Sequence, residues 1–143
     1  MRSLRQFGIN DLHYLGLMTP LETVNEFMRR FCTMDLDSAC ELVSEDVEYD
    51  NVPMGKNYGP EGIKTFAGNM NSSFDSVEFI VHREAVTGQI VLNERTDRFV
   101  KGDLTFDLLV AGVFEVNDAG LITLWRDYFD MGKVTEMFTA LAG

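Results

Sequence analysis

The stretch from Ser76 to Phe129 reads SVEFIVHREAVTGQIVLNERTDRFVKGDLTFDLLVAGVFEVNDAGLITLWRDYF. It holds four runs rich in β-branched and aromatic residues: Ser76 to Thr87, Ile90 to Val100, Leu104 to Val116 and Ile122 to Phe129. Such runs favour strands. Between them lie Gly88-Gln89, Lys101-Gly102-Asp103 and Asn117-Asp118-Ala119-Gly120, segments suited to hairpin turns. Upstream, Thr19-Pro20-Leu21-Glu22 predicts a helix start, with Thr19 as cap, Pro20 at the first helical position and Glu22 reaching back. Leu21, Val24, Met28 and Phe31 then repeat at helical spacing. A second short helix is predicted from Asp35 to Val43, and Gly59-Pro60-Glu61 opens a third with Ile63, Phe66, Ala67 and Met70 turned inward. Val47 to Val52 reads as a short strand, and the tail from Lys133 to Leu141 as a helix closing one side of a pocket. Helices first, then hairpin-linked strands, define an α+β protein.

A chain of 143 residues that is 45% hydrophobic predicts one domain with a real core. Residues 1–18 read as an N-terminal arm and 19–143 as the domain. The 12 basic and 23 acidic residues give a net charge of −11. That balance argues against nucleic acid and anionic membranes as partners, because both need clustered Lys and Arg. There is no apolar run of transmembrane length and no clean signal-peptide core, so a cytoplasmic location is expected. Cys32 and Cys40 then read as buried, reduced thiols. Asn71-Ser72-Ser73 fits the glycosylation pattern, which carries no weight without secretion. No cluster has metal-ligand spacing, so no metal is expected; there is no Gly-rich phosphate loop, and no nucleophile elbow, so no covalent intermediate is required. His13 and His82 read as surface or satisfied histidines.

Three segments carry candidate chemistry: Tyr49-Asp50-Asn51, Arg95-Thr96-Asp97 and Trp125-Arg126-Asp127-Tyr128-Phe129-Asp130. Each falls in a predicted strand, where residues two apart share a face. Tyr49 faces with Asn51, Arg95 with Asp97, and Asp127 with Trp125 and Phe129. A carboxylate on an apolar face is costly unless paired, and the planar fork of Arg95 suits two carboxylates. Asp50 and Asp130 should face away as solvated or turn-capping residues, with Glu94 and Arg126 on the opposite strand face.

The ordered set Tyr-x-Asn, Arg-x-Asp and Trp-Arg-Asp-Tyr-Phe-Asp resembles the motifs of the limonene-1,2-epoxide hydrolase family, from about Thr19 to the C-terminal helix. The resemblance implies a nuclear-transport-factor-2-like (NTF2-like) α+β fold. In that fold a strongly curved mixed, mostly antiparallel sheet packs with N-terminal helices around a conical pocket. It implies Asp127 as general base, Tyr49 and Asn51 as holders of the catalytic water, Asp97 as general acid and Arg95 as the bridge between the carboxylates. It implies Met28, Phe31, Phe74, Phe99, Leu108, Val110 and Phe129 as partial pocket lining, whereas Met54 and Met70 read as ordinary packing. It implies a small lipophilic, cyclic or terpene-like epoxide as substrate, no cofactor, and a homodimer. The alternatives are a ketosteroid-isomerase-like or polyketide-cyclase-like enzyme on the same fold, or a non-catalytic lipophilic-ligand module.

Overall fold

In a computed structural model, residues 18–143 are described; the expected arm, apart from Met18, and His13 lie outside them. Ten elements follow in order: α1 (Pro20–Cys32), α2 (Leu36–Cys40), β1 (Val43–Asn51), β2 (Gly55–Tyr58), α3 (Gly59–Asn71), β3 (Ser76–Thr87), β4 (Ile90–Lys101), β5 (Leu104–Val116), β6 (Ile122–Tyr128) and α4 (Met131–Ala142). The strands form one unclosed six-stranded sheet in the order β2-β1-β6-β5-β4-β3. Every neighbouring pair is antiparallel except β1 and β6, which run parallel. Register shifts between Val81 and Arg83, and between Glu115 and Val116, add the local bend that curves a sheet over helices.

The predicted start of α1 is present as a full capping box. The Thr19 amide donates to Glu22 Oε1 at 3.1 Å, and the Glu22 amide to Thr19 Oγ1 at 3.2 Å. Val24, Phe27, Met28 and Phe31 line its buried side. Each large apolar side chain fully buried this way contributes roughly 1.5–3 kcal/mol. Trp125 of β6 lies at the centre of that packing, edge-on to Phe27 (5.1 Å) and Phe31 (5.3 Å) and stacked on Tyr49 at 4.3 Å. A second apolar cluster gathers Phe74, Val77, Phe99, Leu108 and Val110 under Val134 and Met137 of α4.

Several boundaries differ from expectation. The helix α2 stops at Cys40 because β1 begins at Val43, four residues early, across a register break before Glu48. The short strand β2 was not predicted; its four residues pair with β1 from Asn51↔Gly55 to Glu48↔Tyr58. The tail helix starts at Met131, capped by Asp130, whose Oδ1 accepts from the Gly132 amide at 2.8 Å. Asp50 is a correction. It does face away from Tyr49, yet it is buried rather than solvated, because Arg126 on the neighbouring strand covers it with an ion pair at 2.8 Å. Cys32 and Cys40 are free, and burial pushes both thiols up to about 11.

Candidate active site

The sheet register builds the site. Asn51 of β1 pairs with Asp127 of β6, Asp127 with Gly112 of β5, and Gly112 with Asn93 of β4. Four strands thus place one row of residues across the concave face. Two residues further along β4 comes Arg95, on the same face as Asn93, followed by Asp97.

Arg95 is fully buried, and its fork is filled by side-chain oxygens. Nε donates to Asp97 Oδ1 at 2.7 Å, and Nη2 to Asp97 Oδ2 at 3.2 Å and to Asp127 Oδ2 at 2.6 Å. Nη1 donates to Asn93 Oδ1 at 3.0 Å, and the guanidinium carbon lies 4.8 Å from the centre of the Phe79 ring. Asp127 completes its second oxygen with the Trp125 indole N–H, which donates to Oδ1 at 2.9 Å. A buried guanidinium is tolerable only with such partners. Desolvation opposes its charge, but the two carboxylates outweigh that and hold Arg95 protonated beyond its usual range.

Gly112 makes this geometry possible. A Cβ built there would lie 2.5 Å from Arg95 Nη1, 2.7 Å from Asn93 Oδ1 and 3.0 Å from Asp127 Oδ1. The missing side chain is the space through which Arg95 crosses β5 to reach Asp127.

Two carboxylates and one guanidinium leave an excess negative charge in a desolvated place. Burial, the largest effect, pushes Asp97 up to about 7; Arg95 opposes it and the Asp127 charge adds to it. Near neutral pH Asp97 therefore tends to keep a proton that an exposed carboxyl group would lose. Tyr49 is pushed above the usual phenol range by burial, and next by the Asp127 charge. It stays a neutral hydroxyl.

These groups open onto a cavity of about 480 Å³, counting its mouth, where the two apolar clusters meet. Tyr49, Asn51, Asp97 and Asp127 line it, with Arg95 lying behind the two carboxylates. Phe31, Phe99, Leu108, Val110 and Phe129 also line it. Two expected lining residues do not. Met28 is turned away into the core, where its sulfur accepts from Asn93 Nδ2 at 3.4 Å, and Phe74 packs behind Phe99 with ring centres 4.9 Å apart. Met54, Met70, Asn71, Phe79 and Trp125 line the cavity as well.

Sequence reasoning missed Gly112, Asn93 and the Trp125 indole as parts of the site. A lone Gly inside the apolar run Leu108–Val116 is itself a signal of close backbone approach. Strand alternation from Arg95 and Asp97 would have reached Asn93. His82 lies apart from the cavity, its Nε2 2.8 Å from Thr96 Oγ1. Among the described residues no group of three or more His, Cys, Asp or Glu is arranged to hold a metal, and no helix is long and apolar enough to cross a membrane.

Fold and site together define a class: an NTF2-like α+β protein with an Asp–Arg–Asp constellation buried in its cone. An NTF2-like protein of unknown function from Cytophaga hutchinsonii has the same fold, with a TM-score of 0.67 at 21% identity over 82% of this chain and 96% of that one. Residues 18–142 match the family model for the limonene-1,2-epoxide hydrolase catalytic domain. Epoxide hydrolase EphG of Mycobacterium tuberculosis is 37% identical over 118 residues, 82% of this chain and 76% of that protein. The structure of an LEH-like epoxide hydrolase from M. tuberculosis aligns with a TM-score of 0.70 at 36% identity, over 86% of this chain and 89% of that one. The chain belongs to the limonene-1,2-epoxide hydrolase family and is an epoxide hydrolase.

Proposed function

We propose that this enzyme adds water to a lipophilic, cyclic or terpene-like epoxide in one step, without a covalent intermediate. The observation that carries the reading is the buried Arg95 bonded at once to Asp97 and Asp127. Epoxide opening needs a base at water and an acid at oxygen in the same instant. Asp127 takes a proton from water while the water oxygen bonds to a ring carbon. That carbon–oxygen bond of the epoxide breaks, and Asp97 delivers its proton to the departing oxygen. The product is a vicinal diol, with Asp127 protonated and Asp97 ionised. Return of that proton from Asp127 to Asp97 resets the pair, and Arg95, bonded to both, steadies either charge state.

The two contacts from Arg95 to Asp97 are unequal, 2.7 Å at Oδ1 and 3.2 Å at Oδ2. The looser Oδ2 is the better seat for the transferable proton. Tyr49 and Asn51 hold the water against Asp127. The buried Asn51 Nδ2, which has no hydrogen-bond partner among the described residues, supports that role. Acid–base assistance of this kind contributes about a hundred- to ten-thousand-fold per group. The mostly apolar lining supports a lipophilic substrate.

A single turnover with enzyme in excess, run in heavy-oxygen water, tests the mechanism. Label should enter the diol in that first turnover; unlabelled diol would mean attack by an enzyme carboxylate and an ester intermediate. An enone offered in parallel tests the isomerase alternative. A homodimer is part of the proposal, supported by exposed Leu109, Leu92 and Tyr128 on the sheet; sedimentation as a monomer would contradict it. A cytoplasmic location is supported by the two unpaired cysteines.

A further inference from the structure

Two amide groups on the cavity wall are buried without a hydrogen-bond partner among the described residues: Asn51 Nδ2 and Asn71 Nδ2. Asn51 lies beside Asp127 and belongs to the water site proposed above. Asn71 has no part in that chemistry. It is the last residue of α3 and only 7% exposed. The buried stripe of that helix runs Ile63, Ala67, Asn71, one residue per turn, so an amide occupies a place where an apolar side chain would be the ordinary choice. Nor does the side chain cap its own helix: the nearby Ser72 and Ser73 hydroxyls bond to the Asn69 carbonyl, and the Phe74 amide donates to the Asn71 main-chain carbonyl. Burial also removes it as a glycosylation acceptor.

A buried amide without a partner is a standing cost that a native protein seldom carries without a use. Asn71 Nδ2 is a donor, so what it lacks is an acceptor. The ligand's acceptor is a neutral one, because an anion would find no free cation here: the Arg95 fork already serves Asp97, Asn93 and Asp127, and both carboxylates line the same cavity.

We infer that Asn71 is a specificity-determining residue whose side-chain amide donates a hydrogen bond to a neutral oxygen, carbonyl or hydroxyl, carried by the substrate apart from its epoxide ring. The inference rests on the proposed epoxide hydrolysis for its substrate, and it narrows that substrate to an oxygenated lipophilic epoxide rather than a pure hydrocarbon one.

A matched pair of epoxides tests it: limonene-1,2-epoxide, and the ketone in which an acetyl group replaces the isopropenyl group. The two differ by C=O in place of C=CH2 at nearly constant shape. Asn71→Leu should lower the ketone-to-hydrocarbon ratio of kcat/KM about tenfold or more, the effect of one lost buried hydrogen bond. A ratio unchanged within about twofold of wild type would overturn the inference while leaving epoxide hydrolysis intact. If neither epoxide yields diol in the wild type, the proposed cyclic, terpene-like substrate class fails on its own. A second measurement stands apart from turnover and from the variant's folding. In amide spectra of isotope-labelled wild-type protein, the Asn71 side-chain signals should shift on titration with acetylcyclohexane and not with isopropenylcyclohexane. Equal responses, or none to the ketone, would overturn the assignment.

Discussion

Gly112→Ala is the smallest change that strikes the site without replacing any of its polar side chains. The added methyl would lie 2.5 Å from Arg95 Nη1 and 2.7 Å from Asn93 Oδ1. Non-bonded atoms settle near 3.5 Å, so the guanidinium must retreat by roughly 1 Å. It cannot retreat freely, because it lies against Phe79 and all four of its hydrogen bonds to Asp97, Asn93 and Asp127 are buried. The bond from Nη2 to Asp127 Oδ2, at 2.6 Å, stretches or breaks, and the proposed acid and base lose their common anchor. A misplacement of that size costs about a hundredfold in rate. Overpacking adds about 1–3 kcal/mol of destabilisation, small enough for the fold to survive. The assay pairs diol formation, read as kcat/KM, with urea unfolding of the same preparation. Folded Gly112→Ala protein with activity within about threefold of wild type would refute the claim that Arg95 must cross β5 at this point to organise both carboxylates.

Trp125→Phe keeps most of the ring packing but removes the N–H held by Asp127 Oδ1. A hydrogen bond to a charged group is worth about 1.5–3 kcal/mol, so kcat should fall about tenfold to a hundredfold with KM little moved, checked by steady-state kinetics. Arg95→Lys retains the charge but loses the fork that spans Asp97, Asn93 and Asp127; activity should fall at least about a hundredfold, as a diol assay would show. Asp97 is raised from 3.8 to about 7, so the folded chain keeps a proton that the unfolded chain releases across that window. Its contribution to stability is therefore full below 3.8, falls as pH rises, and is gone once pH passes about 7. Urea titrations at several pH values should show that decline in wild type and lose it in Asp97→Asn. The proposed mechanism uses the same proton, so wild-type kcat/KM should also fall as pH climbs through about 7.

The fold was largely legible because its signals are local. The Thr19–Glu22 box, the helical spacing through Phe31 and the turn residues between the four long strands all act within a few positions of themselves. The unpredicted β2 has no such signal: GKNY is polar and short, and it forms a strand only because β1 offers it a partner. The Arg95–Asp97 pair was legible through strand alternation, which fixes faces; Asp127 joined it through the cost of an unpaired carboxylate and through the family resemblance. What alternation cannot fix is depth and partner. Asp50 reads as a solvated flanking residue until the parallel β1–β6 register places Arg126 against it. Met28 and Phe74 are lining residues only by the family resemblance, and their neighbours Asn93 and Phe99 turn them into packing behind the cavity. Gly112 matters only because Arg95 passes over it, a fact of three-dimensional register.

The proposed chemistry depends most on one proton, the one that Asp97 holds for the epoxide oxygen. Infrared difference spectroscopy of wild type against Asp97→Asn reads it directly as the carbonyl stretch of a protonated carboxyl group. That band is expected in wild type at mildly acidic pH, should be absent in Asp97→Asn, and should disappear as pH rises through about 7. A wild-type spectrum in which Asp97 is already a carboxylate at about pH 5, near the ordinary range for exposed acids, would contradict that chemistry.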